Sequence, residues 1–218
     1  MKSVRFSNIG WALFFAACGG SASRAKPSSG ADIAAKAHVS EPRVERMVIS
    51  ADRIAAIASG ESDPHGAIAG ELVLGRADAD RRLFFHFPVT LPENGALKSA
   101  SLLLTRSAAV DMTGAIELHA MRVIDPWDAR SISWPLQPRI EEARAPHAIV
   151  TPAGAKIVRI DVAEIVKAWP AHDPSDRGLA VVADRSTASG ASFAYISSKD
   201  RPPELEILWA YPDSLAKP

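Results

Sequence analysis

The 218-residue chain has a single cysteine, and that scarcity excludes a fold stapled by internal disulfides. Charge of one sign is lacking too. With 25 basic residues against 25 acidic ones, no broad positive field gathers phosphates, and nucleic acid is set aside as a partner. No apolar run approaches the roughly 20 residues that a membrane-spanning helix needs. Aromatic residues make up only 6% of the chain, too few for a broad aromatic binding strip. Signatures of catalysis are missing as well. There is no Gly-x-Ser-x-Gly nucleophile elbow and no glycine-rich phosphate loop between a strand and a helix. The six histidines show neither His-x-His nor His-Glu-x-x-His spacing. The acid pairs Asp78 and Asp80, Asp125 and Asp128, and Glu141 and Glu142 read as solvated loop charges, and the chain is expected not to be an enzyme. What is present is the make-up of a folded protein: 47% apolar residues, 23% charged residues and a mean hydropathy of +0.02.

The one cysteine, Cys18, gains meaning from its position. Lys2 and Arg5 form a short positive region, Ile9 to Ala17 an apolar stretch, and the small pair Ala16 and Ala17 directly precedes it. Nine residues are too few to cross a hydrocarbon core, so residues 1–17 read as a signal segment directing export. The string Phe15-Ala16-Ala17-Cys18-Gly19 resembles the lipobox of bacterial lipoproteins. That resemblance implies lipidation of the Cys18 thiol and a membrane anchor of two or three acyl chains. A mature chain without another thiol suits an oxidising envelope. Removing Lys2 and Arg5 leaves 23 basic against 25 acidic residues, which argues against a polybasic anchor. Gly19 stands where an Asp resembles an inner-membrane retention signal. The expected destination is therefore the outer membrane or the cell surface.

Residues 18–45 are small and polar and read as a flexible tether, because they cannot bury enough apolar area to offset ordering. Residues 46–212 read as one domain. Short apolar runs recur there between Gly, Pro, Asn and Asp: Met47 to Ser50, Glu71 to Gly75, Leu83 to Phe87, Ser99 to Arg106, Ala115 to Arg122, Lys156 to Ile160, Leu179 to Ala183, Ser192 to Ser197 and Glu204 to Trp209. Several alternate with period two, placing Ala100, Leu102 and Leu104, then Ile116, Leu118 and Ala120, then Leu205, Ile207 and Trp209 on core faces. Leu83 to Phe87 is almost continuously apolar, as for a deeply buried strand. Only Asp161 to Trp169 has helical spacing, with Val162, Ile165, Val166 and Trp169 at i, i+3, i+4 and i+7. Asp161 and Glu164 have the spacing of a capping box, and Pro170 stops the helix. The expected fold is all-β, a sandwich with one short helix capping an open end and Trp169 as its plug.

The order of these pieces is similar to that of the DNRLRE domain family, related to carbohydrate-binding module family 96. Arg82 to Pro92 and Leu97 to Leu104 resemble its strand, "LP" turn and "I-x-S-A-x-L-x-L" strand. His119 to Trp134 (HAMRVIDPWDARSISW) is similar to its stretch in which a Trp-Asp pair precedes a second tryptophan. Val158 to Trp169 with Gly178 to Val181 resembles "D-V-T-x-x-V-x-x-W … G-L-x-L", and Phe193 to Lys199 with Pro202 to Ile207 resembles its closing strands. Pro135 stands where the family usually has Asn, and Lys199 where Glu is common. The resemblance implies a jelly-roll sandwich in an extracellular or surface protein, with polysaccharide binding in some branches.

The candidate ligand-binding residues are Trp127, Asp128, Arg130, Trp134 and Tyr195. Flat indole faces stack on the C–H face of a pyranose while polar neighbours reach its hydroxyls, yet the same tryptophans match framework positions of the family, so packing and stacking both stand. His86 and His119 are the one histidine pair positioned to share a sheet face. Aspartate-bearing loops favour calcium over zinc as a structural ion, with Asp52, Asp78 and Asp80 as candidates, and no other cofactor is expected. The expected partners are a polysaccharide or an envelope protein, and the membrane through the N-terminal lipid.

Overall fold

The computed structural model describes residues 43–60, 70–74, 80–106, 114–141, 146–169, 178–184, 193–197 and 202–212. The signal segment, Cys18, most of the tether, Asp78 and Pro170 lie outside these residues. Twelve strands and one helix are present among them: β1 (Val44–Ser50), β2 (Arg53–Ala58), β3 (Gly70–Leu74), β4 (Arg81–His86), β5 (Ala96–Thr105), β6 (Ile116–Val123), β7 (Ile140–Glu141), β8 (His147–Val150), β9 (Ile157–Asp161), α1 (Ala163–Lys167), β10 (Gly178–Ala183), β11 (Phe193–Ser197) and β12 (Glu204–Ala210). The fold is all-β, as expected. Each of the nine runs read from the sequence is a strand, while β2, β7 and β8 are additional to them.

The strands form antiparallel sheets. One has four strands in the order β1-β12-β5-β9, and the other has six, β2-β4-β10-β6-β7, with β8 also paired to β6. β3 and β11 form a separate pair. Successive strands alternate between sheets at most connections, which is the jelly-roll pattern. The period-two faces meet in the core: Leu102, Leu104, Leu205, Ile207 and Ile160 from the four-stranded sheet pack against Leu83, Phe85, Leu118, Leu179 and Val181 from the other. All of these side chains are fully buried.

β4 shows why its sequence is continuously apolar. Leu83 and Phe85 face the main core, whereas Phe84 faces the other way into a second cluster with Ala55, Ile57, Val123, Trp127, Ile132 and Ala180. The loop 124–139 folds over the outer face of the six-stranded sheet and covers that half of it. β4 is thus buried on both faces, a setting in which alternation has no reason to appear.

The helix forms where its period predicted, and Val162, Ile165, Val166 and Trp169 are all buried. The capping box does not form. Asp161 accepts from the Ala163 backbone N–H at 3.0 Å, but Val162 occupies the N-cap position and Glu164 turns away to accept from Lys167 Nζ at 2.6 Å. A helix of five residues leaves Glu164 closer to the last-turn lysine than to any donor behind it. Trp169, 4% exposed, closes that end of the core.

On the outer face of the four-stranded sheet, Glu206 of β12 lies between Arg46 of β1 and Arg159 of β9. Arg46 Nε donates to it at 2.7 Å. Hydrogen bonds from Arg159 and then Arg46 hold its carboxyl below the usual glutamate range.

Candidate functional site

Among the described residues, two regions are candidates for receiving a ligand: the outer face of the six-stranded sheet, and one end of the sandwich. On the outer face, the loop 124–139 is closed at its neck. Ile124 N–H donates to Arg139 O at 2.9 Å, and Asp125 accepts from both the Arg139 backbone N–H, at 3.0 Å, and its guanidinium, at 2.7 to 3.0 Å. The Arg139 hydrogen bonds lower the Asp125 pKa to about 2. A carboxylate depressed in the folded state stabilises fully above its unfolded pKa near 4, and that contribution is lost as pH falls toward 2. Asp125→Asn is therefore expected to be less stable than the native chain at pH 7, with the gap closing between pH 4 and pH 2. Denaturation of both proteins across that range checks it, and a gap independent of pH contradicts it.

Within this loop Trp127 is 8% exposed. One side packs on Phe84, with ring centroids 5.8 Å apart, and the Arg53 guanidinium lies 5.4 Å from its ring while donating to Trp127 O at 2.7 Å. Gly178 passes beneath: a Cβ there would stand 2.9 Å from Val123 Cβ and 3.1 Å from the Trp127 indole nitrogen, so only glycine lets β10 come this close. Trp127 therefore serves packing. Trp134 is half-buried, with the Arg82 guanidinium 5.1 Å from its ring, and Arg82 also donates to Gln137. Asp128 is exposed and shapes the turn: its carboxylate accepts from the Arg130 N–H at 3.0 Å, and its carbonyl accepts from Ser131 and Ile132. Arg130 is exposed. The two indoles do not form an open coplanar platform. Tyr195 has its backbone in β11 opposite Leu72, and its side chain lies outside the described residues.

His86 and His119 do share the outward face, because Gly178 registers with both His86 and Val123, four residues from His119. They stand at opposite ends of it. His86, 5% exposed, is 2.5 Å from Asp52 through Nδ1. Asp52 precedes β2, whereas the Asp80 backbone bonds to Ser59 beyond the other end of that strand. The six residues of β2 thus separate the two aspartates by roughly 20 Å of strand, and they do not converge on one ion.

The second region was not foreseen from the sequence. Between the 90–97 loop, α1 and the end of β12 lies a pocket of about 480 Å³. Leu91, Leu97, Val166 and Trp169 supply apolar wall, with Glu93 and Lys167 as its charged groups. The loop is pinned by Trp209, whose indole N–H donates to Asn94 O at 2.9 Å. The Trp169 indole nitrogen is buried in the wall with no acceptor among the described residues. An apolar cavity of this size with a few polar groups suits a small ligand. The sequence signal was the "LP" turn of Leu91 and Pro92 followed by Asn94 and Gly95, but it does not reveal that two tryptophans close on that turn.

The paired sheets, the loop-covered sheet face and the aromatic-walled end pocket define an all-β sandwich of jelly-roll type. The model of carbohydrate-binding module family 96 matches residues 62–208, about two thirds of the chain, and the chain belongs to that family. A search of curated proteins returned no match.

Proposed function

We propose that this chain is a lipid-anchored protein of the bacterial cell envelope that binds polysaccharide without cleaving it, seating a sugar unit in the end pocket. The observation carrying this reading is the pocket itself within a module of this family: indole edges and aliphatic walls to meet C–H faces, with Glu93 and Lys167 placed for hydroxyls. The lipobox-like string ending in Cys18 supports the anchor. Affinity electrophoresis of the purified chain through gels of neutral and acidic polysaccharides tests it. Lys167→Ala, on an exposed helix position, is expected to weaken retention about fivefold with no loss of folding, equivalent to the roughly 1 kcal/mol of one polar contact. Absence of retention on every polysaccharide, or release of new reducing ends, contradicts the reading.

A second reading is favoured by the burial of Trp127 together with the exposure of Leu136, 72% accessible on the same loop. On that reading the outer face docks onto another envelope protein. Co-purification of one stoichiometric partner from detergent-solubilised envelopes, lost in Leu136→Asp, supports it.

A further inference from the structure

At the end of the outer sheet face remote from His86, three potential metal ligands, Glu117, His119 and Asp184, come together, with His147 beside them. Glu117 and His119 are two apart on β6 and point the same way. His147 on β8 is the cross-strand partner of His119, with ring centroids 5.7 Å apart. Asp184, just past β10, is tied to β6 by its backbone N–H, which donates to Glu117 O at 2.8 Å. We propose that Glu117, His119, Asp184 and His147 form a binding site for a divalent transition-metal ion, with zinc as the best-fitting one.

The distances fit the chemistry. One ligand atom each from Glu117, His119 and Asp184 lies within 4.8 Å of the others. His119 Nε2 is 3.5 Å and His147 Nε2 3.7 Å from the same Glu117 oxygen. Tetrahedral zinc with bonds of about 2.0 to 2.2 Å places its ligand atoms about 3.3 to 3.6 Å apart, so Glu117, His119 and Asp184 close on an ion by side-chain rotation, and the half-exposed His147, beside Glu117, has to swing in as the fourth ligand. Two imidazoles and two carboxylates select a borderline ion over calcium or magnesium, which take oxygen shells. Glu117 and His119 are each 24% exposed and His147 is 55% exposed, so an ion reaches them from solvent.

Four protein ligands make a closed site, which is the structural rather than the catalytic arrangement. Bound metal pins β8, a four-residue edge strand, and the end of β10 to β6. Nothing in this depends on sugar binding.

Isothermal titration of the chelator-treated, tag-free chain tests the site, with zinc, calcium and magnesium chlorides as separate titrants. One zinc per chain at micromolar affinity or tighter is expected, together with a rise in Tm of several degrees on zinc addition. Calcium and magnesium are expected to do neither. His147→Gln, at a largely exposed position, is expected to weaken zinc at least tenfold while leaving the metal-free Tm unchanged. Cobalt substituted for zinc is expected to give the intense visible bands of tetrahedral coordination in the native chain and to lose them in His119→Gln. No zinc uptake, or zinc affinity unchanged in both variants, or preference for calcium, overturns the proposal.

Discussion

Gly95→Ala is expected to destabilise the domain by about 3 kcal/mol, from the combined cost of a strained backbone and an overfilled site. Gly95 has φ of +117°, a conformation that residues with a Cβ rarely adopt. A Cβ built there falls against Ala210 O and the Trp209 indole nitrogen. Ala210 O is backbone of a strand paired on both sides, to β1 and to β5, so it cannot give way. Trp209 is the side that yields, and its movement breaks the hydrogen bond to Asn94 that shapes the pocket. For a domain of this size the loss corresponds to a fall in Tm of roughly 10 °C. Urea unfolding of the two proteins measures it, and a change below about 1 kcal/mol contradicts the account. Any residual folded Gly95→Ala protein is also expected to bind polysaccharide more weakly, since its pocket is filled from the wall inward.

Cys18→Ser is expected to have the largest effect on location and none on the fold. On the lipoprotein reading, acyl chains on that thiol hold the protein to the membrane, at about 0.8 kcal/mol per buried methylene. Serine offers no thiol to modify, so the protein moves from the membrane pellet to the soluble exported fraction almost entirely. Fractionation of cells expressing each form checks this. A serine variant that still sediments with membranes contradicts the anchor, while thermal unfolding of the released form should match that of the native domain.

The parts of the fold that were legible are those where one physical cause dominates. In β5 and β12 one face meets the core and the other meets solvent, so Ala100, Leu102 and Leu104, or Leu205 and Ile207, announce themselves by alternation. The helix was legible because four buried residues share one face. β2 was not, because after Arg53 its inward and outward residues, Ile-Ala-Ala-Ile-Ala, are all small or apolar: one side lies on the main core and the other under the 124–139 loop. β7 and β8, at two and four residues, are too short to show a period. Capping was misread at Glu164 because spacing shows who is near whom along the chain, not which partner is closer in space.

The sites depended on information that spacing does not hold. Trp127 and Trp134 stand out in the sequence, yet only the positions of Phe84, Arg53 and Arg82 decide how much indole remains open. Glu117, His119, His147 and Asp184 are spread across residues 117 to 184 and become neighbours only through the sheet order that places β6 between β10 and β8. The Glu117-x-His119 pair was visible as one strand face; its completion from two other strands was not.

The pairing of β1 with β12 also sets how the module carries force. Val44 registers with Ala210, and the Tyr211 N–H donates to Arg43 O at 2.9 Å, so the chain leading back toward Cys18 leaves the sandwich beside the residues that close the pocket. If polysaccharide is held there and lipid holds the other end of the tether, tension runs between two neighbouring points at one end of the domain. Most of the sandwich then stands outside the line of pull. What resists is the first few rungs of the β1–β12 ladder, which peel one at a time from Val44 rather than shearing together. Such a link yields length under load by fraying its edge while the chain stays attached, leaving the core intact and β1 free to re-zip.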